Sequence, residues 1–256
     1  MNDPIPLSDA LVVIRPSATA LLASGSGNNL RHVHGLLLGG QGKGKTIASD
    51  AIASFFGGTG FRSRNLAALL TLPKEGEGAF TTHPALVLVW EDATLEDVPS
   101  SLLRKWYQIR HLFGRRGSTG LVVTVTNIHT FYGLKKDLRT EFDFMLIKSV
   151  PTNRNDRSML RVLIGGDNTV SGKARGEEFL RWLEKQSLLS LTDPSKLRFG
   201  LLWTRDGVTT PVSVPDVPSP LSEIDMPPIK STNLVLIPVG AAITFLAWAV
   251  ITILGG

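Results

Sequence analysis

The amino-acid sequence predicts a three-layer α/β domain on a mainly parallel sheet, and three observations carry that expectation. Apolar runs are short, uninterrupted and rich in branched residues: Gly35–Gly40 (GLLLGG), Ala85–Trp90 (ALVLVW), Gly120–Asn127 (GLVVTVTN), Asp143–Ser149 (DFMLIKS) and Met159–Gly166 (MLRVLIGG). Strands covered by helices on both faces have this composition. Segments of helical spacing lie between the runs, at Thr46–Phe56, Leu95–Phe113 and Phe131–Phe142, and such alternation builds right-handed βαβ units. The first run feeds a glycine-rich turn that opens directly into a helical pattern. At 256 residues the chain is long enough for one large domain with a core and appendages.

Along the chain, the N-terminal MNDPIPLSDALVVIRPS lacks a basic segment followed by a long apolar run, so it does not read as a cleaved leader. Leu72–Pro84 (LPKEGEGAFTTHP) is polar and glycine-containing and reads as a loop. Near the end of the domain, Lys196–Pro215 holds two alternating segments around Asp206 and Gly207, a hairpin signal. Val214–Thr232 carries five prolines and few large apolar residues, which favours an extended connector. From Leu234 to Leu254 there are twenty-one residues without a charge, enough to cross a hydrocarbon core of about 30 Å as a helix. The expected organisation is a domain over 1–213, a proline-rich linker over 214–232 and a transmembrane anchor over 233–256, with the N-terminal domain cytoplasmic.

Composition excludes little beyond this. With no cysteine, disulfides and thiolate metal sites are absent. His32, His34, His83, His111 and His129 lack the paired spacing of a zinc site. The net charge of +5 permits nucleic acid as a partner without requiring it.

The chemistry sits in the glycine-rich turn. Gly39, Gly40, Gln41, Gly42, Lys43, Gly44, Lys45 and Thr46 complete the pattern G-x-x-x-x-G-K-[ST], and Ile47 continues the helix. A strand leading in and a helix leading out would aim backbone N–H groups and a helix N-terminus at phosphate oxygens. Lys45 would bridge the β- and γ-phosphates and the Thr46 hydroxyl would hold Mg²⁺. Gly40, Gly42 and Gly44 allow positive φ or close approach, and Lys43 reads as solvated. Such a site needs an acidic residue at a neighbouring strand end. Glu91 and Asp92 after ALVLVW supply it, Glu91 for the metal and Asp92 for activating the attacking water. The strand GLVVTVTN ends in Thr126 and Asn127, which places Asn127 as a γ-phosphate sensor. His129 follows, and a lone loop histidine reads as structural or solvated rather than as a catalytic base. No adenine- or guanine-reading motif is evident; ATP with Mg²⁺ is the expected cofactor pair. Arginines at Arg110, Arg115, Arg116 and Arg139 offer a finger that one subunit of a ring could present to the nucleotide of the next.

The phosphate loop, the acidic pair, the helix ending in Ile109-Arg110-His111 and the segment Leu121–Lys148 together resemble the FtsK/HerA superfamily of DNA-pumping ATPases. Within it, the chain is similar to the zonula occludens toxin-like ATPases of filamentous phages and to ATPases of archaeal viruses and plasmids. There an Arg-His precedes the sensor strand, and a short helix containing Leu-Arg leads to a strand with an aspartate, as Leu138, Arg139 and Asp143 do here. The similarity spans about Gly35–Lys148. It implies a P-loop NTPase domain of RecA/FtsK-like type, a homo-oligomeric ring with a hexamer as one option, DNA as partner, and contact with virion or secretion-complex proteins at a membrane. The acidic order is inverted relative to the family, and its usual glutamine sensor is Asn127. Arg62, Arg64, Lys135, Lys136, Arg154 and Arg157 are the basic residues that would contact DNA phosphates, Lys135 and Lys136 foremost. The competing expectation is a membrane-tethered regulatory or scaffold NTPase acting on a protein partner.

Overall fold

The structure is a computed structural model that describes residues 3–12, 29–42, 44–56, 59–75, 85–93, 98–109, 112, 119–130, 141–192, 197–204 and 207–224. In chain order the elements are β1 (Ile5–Pro6), α1 (Leu7–Leu11), β2 (Asn29–Leu38), α2 (Lys45–Phe56), β3 (Thr59–Ser63), α3 (Leu66–Glu75), β4 (Ala85–Trp90), α4 (Ser100–Tyr107), β5 (Thr119–Ile128), β6 (Phe144–Ile147), α5 (Arg154–Gly165), α6 (Val170–Thr192), β7 (Arg198–Trp203), β8 (Val208–Ser213) and β9 (Leu221–Glu223).

The described strands form one sheet in the order β1-β8-β7-β6-β2-β5-β4-β3-β9. Pairing is parallel except at β6/β7 and β7/β8, which are antiparallel. Period-two alternation divides each strand between two apolar layers. Val33, Leu37, Val87, Val89, Val123 and Val125 face α1 and α2 through Leu11, Ala48, Ile52 and Phe56. Leu36, Leu38, Leu88, Trp90, Val122 and Ile147 face the opposite layer, with Leu69 of α3, Trp106 of α4, Leu160 of α5 and Phe179 of α6. Helices on both faces of a mainly parallel sheet are the expected three-layer architecture. The P-loop strand β2 lies centrally, between β5 and β6, and β5 separates it from the acidic strand β4.

Several expectations change. Met159–Gly166 is not a strand but the end of α5. The Asn153 side chain accepts from the Asn155 N–H, Leu160 and Ile164 bury on one face at i,i+4 spacing, and Gly166 closes the helix at φ 80°. Local capping outweighs the branched composition that suggested a strand. Helix α6 after it, and the strands β1, β3 and β9, carry no period that the sequence alone had singled out. The expected loop Leu72–Pro84 begins inside α3, which runs to Glu75. Helix α4 is shorter than its pattern.

The linker also starts later than expected. Val214 donates its N–H to the Leu197 carbonyl, Val214 and Leu221 are buried against the α2 layer, and Leu221–Glu223 pair in parallel with β3. Residues 214–224 are therefore part of the sheet domain: an irregular, proline-containing stretch delivers Leu221 to the space above Gly60, where a Cβ would meet its Cδ2 at 2.2 Å. The chain divides into units 1–225 and 226–256. Among the described residues no helix is long and apolar enough to cross a membrane; the expected anchor over 233–256 lies outside them.

Candidate nucleotide site

The loop between β2 and α2 takes its shape from two left-handed glycines, Gly42 at φ 68° and Gly44 at φ 79°. Gly39 is held by its N–H to the Ile128 carbonyl at 3.3 Å, and Gly40 by its N–H to Ser149 Oγ at 3.2 Å. The first α2 bond runs from the Ala48 N–H to the Gly44 carbonyl at 3.1 Å, so the preceding N–H groups have no intrahelical acceptor and present a positive helix end. Gln41 and Thr46 are exposed, Ile47 is half-buried, and Lys43 lies outside the described residues.

Lys45 is only 7% exposed. Its Nζ donates to the carbonyls of Gly39 at 2.8 Å and Gly40 at 3.1 Å, and stands 3.2 Å from His129 Nδ1. Burial lowers the lysine's pKa, and the carboxylates of Asp92 and then Glu91 oppose that shift. The ammonium is thus folded onto its own loop, with both acidic residues within electrostatic reach.

Strand alternation aims the remaining groups. Glu91 continues the parity of Val87 and Val89, and Asn127 and His129 that of Val123 and Val125, so all three project on the α2 face. Asn127 is buried, and its amide donates to Ser49 Oγ of α2 at 3.3 Å, while its Oδ1 is without a hydrogen-bond partner. Its side chain is tied to α2 rather than open to solvent. Glu91 accepts from Arg62 Nη1 at 3.3 Å. Burial raises the Glu91 pKa, and Arg62 opposes the rise. Asp92 adopts φ 48°, an uncommon left-handed conformation for a residue with a side chain. Its carboxylate stands 3.0 Å from His129 Nε2 and 3.4 Å from Arg64 Nε. A lysine ammonium only donates, so His129 Nδ1 accepts and the ring proton sits on Nε2, facing Asp92. Lys45, His129 and Asp92 form a continuous chain across the loop.

The groups present suit a nucleotide with its cation. An ammonium, free helix N–H groups and a glycine cradle bind phosphate oxygens. The Thr46 hydroxyl and the two carboxylates are hard oxygen donors of the kind Mg²⁺ takes.

Other expectations fare differently. Arg62 does not face solvent: it is 6% exposed and pairs with Asp50 and Glu91. Arg157 is committed to Glu177, at 2.7 Å, and to Glu184. Neither is available for DNA. Arg64 and Arg154 are exposed. Arg110, Arg115, Arg116, Lys135, Lys136, Leu138 and Arg139 lie outside the described residues. His129, which reads from sequence as structural or solvated, stands between Lys45 and Asp92; its position two residues after Asn127 puts it on the same face, a signal available in the strand's parity.

No protein-family profile matches the chain, and no curated protein sequence does. Among solved structures, the chain is similar to B204, the DNA-packaging ATPase from Sulfolobus turreted icosahedral virus, at 8% identity over 73% of this chain and 97% of that one, with a TM-score of 0.47. The genome packaging NTPase B204 from Sulfolobus turreted icosahedral virus 2, in complex with ATP-gammaS, matches at 10% identity over 73% and 98% of the two chains, with a TM-score of 0.48. A katanin structure matches at 14% identity over 74% and 66%, with a TM-score of 0.34. What stands on the chain's own geometry is a P-loop NTPase domain: a complete phosphate loop between a central parallel strand and its helix, with an acidic pair one strand beyond the neighbouring β5.

Proposed function

We propose that the protein is a membrane-anchored, Mg²⁺-dependent ATPase that oligomerises and drives DNA translocation, packaging or the assembly of a virion or secretion complex. The observation that carries the catalytic part is the chain from Lys45 through His129 to Asp92 at the phosphate loop, with Glu91 within electrostatic reach of Lys45 and Asn127 bonded to Ser49 of α2. Bound Mg²⁺ would supply charge neutralisation at the β- and γ-oxygens, with Thr46 and Glu91 as its protein ligands. Lys45 leaves the carbonyls of Gly39 and Gly40 for phosphate oxygens, an exchange favoured because the buried ammonium gains an anionic partner. Asp92 takes the proton of the water that attacks the γ-phosphorus as the bond to the bridging oxygen breaks, giving ADP and phosphate. His129, released by Lys45, stays on Asp92 through Nε2 and fixes the carboxylate's orientation.

The DNA part rests on the resemblance of Gly35–Lys148 to the FtsK/HerA superfamily. In that reading Arg139 is the finger given to a neighbouring subunit, Lys135 and Lys136 meet DNA phosphates, and residues 233–256 anchor the domain at the cytoplasmic face of a membrane. The test is ATP turnover by the full-length chain in detergent, with and without DNA, over a salt series. Stimulation that fades steeply with salt is expected, because phosphate contacts release counterions. Turnover indifferent to DNA would remove the motor and favour the protein-directed switch.

A further inference from the structure

The strap 214–224 reaches Glu91 through one arginine. On β3, Gly60 and Arg62 share the α2 face while Phe61 packs on the other. Leu221 fills the space over Gly60, and the chain that delivers it places Ser219 beside α2. Ser219 Oγ donates to Asp50 Oδ1 of α2 at 2.7 Å and accepts from Arg62 Nη2 at 2.5 Å. The same Arg62 nitrogen bonds Asp50, and Nη1 reaches Glu91 Oε1 at 3.3 Å. The strap is further tied by the Ile224 N–H to the Arg62 carbonyl at 2.9 Å and by Ser63 Oγ to the Ile224 carbonyl at 2.8 Å.

Arg62 and Asp50 are both buried. A buried guanidinium keeps its place only while its partners do. Glu91 receives one end of Arg62; the other end is fixed by Asp50 and Ser219 together. We infer that Arg62 is a positioning residue for Glu91, and that Ser219 makes the C-terminal strap part of the hydrolytic site by locking Arg62 in the geometry that aims Glu91. The inference rests on the proposed role of Glu91.

The test uses the full-length chain and three proteins, the wild type, Ser219→Ala and Ser219→Thr. Ser219 is exposed as a residue, with its hydroxyl turned in to Asp50 and Arg62 and also accepting from the Leu221 N–H at 3.2 Å, so Ser219→Ala removes only these hydroxyl bonds and no buried apolar group. Steady-state ATP turnover and amide hydrogen exchange are measured on each. The expected result is a kcat about tenfold lower in Ser219→Ala with KM for ATP within twofold, restored by Ser219→Thr, which returns the hydroxyl. Exchange should quicken around Asp50 in α2 and at Glu91 in Ser219→Ala alone, with β7 and β8 unchanged. Wild-type kcat in Ser219→Ala overturns the inference, and so does a loss that Ser219→Thr fails to restore. Should the wild type itself not turn over ATP, the hydrolytic role of the site fails separately, and exchange alone decides: quickening at Asp50 and Glu91 upholds the coupling, unchanged exchange refutes it.

Discussion

Gly42→Ala and Gly44→Ala add the same methyl group to two left-handed residues of the phosphate loop, yet the surroundings differ. Both pay a backbone penalty, since an L-residue in this region costs about 1–2 kcal/mol, partly offset by about 0.4–1 kcal/mol from a less flexible unfolded chain. At Gly42, φ 68°, a Cβ meets nothing within 4 Å. At Gly44, φ 79°, it meets Leu197 Cδ1 at 2.8 Å and Cδ2 at 2.9 Å. Leu197 packs on the α2 layer, and displacing it adds about 1–3 kcal/mol of overpacking. Gly42→Ala should therefore destabilise by about 1 kcal/mol and Gly44→Ala by about 2–4 kcal/mol. In a domain of this size, about 2–4 °C of Tm accompany each kcal/mol. Thermal unfolding of the full-length chain, followed by circular dichroism, should show a drop of about 2–4 °C for Gly42→Ala and about 4–16 °C for Gly44→Ala. Because Gly44 also opens α2, its variant should lose more ATP affinity. Equal Tm values, or a larger effect at Gly42, would refute the placement of Leu197 against the loop.

Three further outcomes follow from the same geometry. Asp92→Asn should reduce ATP turnover by about 10²–10⁴-fold, and His129→Ala by a smaller factor with ATP affinity little changed, measured by phosphate release; an unaffected Asp92→Asn removes that residue from proton transfer. His34 is fully buried, and desolvation, then His32, hold its pKa well below the ordinary 6.5. The folded state thus binds fewer protons than the unfolded one, and its stability is intact above pH 6.5 and lost as pH falls through that value toward the lowered native pKa, by up to about 1.4 kcal/mol per unit of pH; melts between pH 5 and 8 should flatten in His34→Gln. Arg157→Ala, which removes partly exposed pairs with Glu177 and Glu184, should cost at most about 1 kcal/mol and leave any DNA stimulation of turnover unchanged.

Much of the sheet was legible because buried parallel strands write themselves as apolar runs: β2, β4, β5 and β6 all fall where such runs lie. The phosphate loop was legible because its residue types answer to backbone geometry at fixed spacing. What escaped was decided by contacts distant in sequence. Met159–Gly166 has strand-like composition, but the Asn153 cap and the i,i+4 burial of Leu160 and Ile164 make it helical. The strap around Ser219 reads as a linker by its prolines, since one buried Leu221 and a three-residue pairing leave no periodic signal. Arg62 reads as surface charge until Asp50, Glu91 and Ser219 arrive from three separate segments. His129 reads as a lone histidine, and only its parity with Asn127 and the left-handed φ at Asp92 bring it to Lys45 and Asp92.

The central claim, that this loop binds and hydrolyses ATP, is tested most directly by phosphate release from ATP by the full-length chain, with Mg²⁺ or with EDTA, beside Lys45→Ala. Turnover that requires Mg²⁺ and disappears in Lys45→Ala is the predicted result. Turnover that survives in Lys45→Ala would contradict the account, because the buried ammonium at the heart of the loop would then have no part in the reaction.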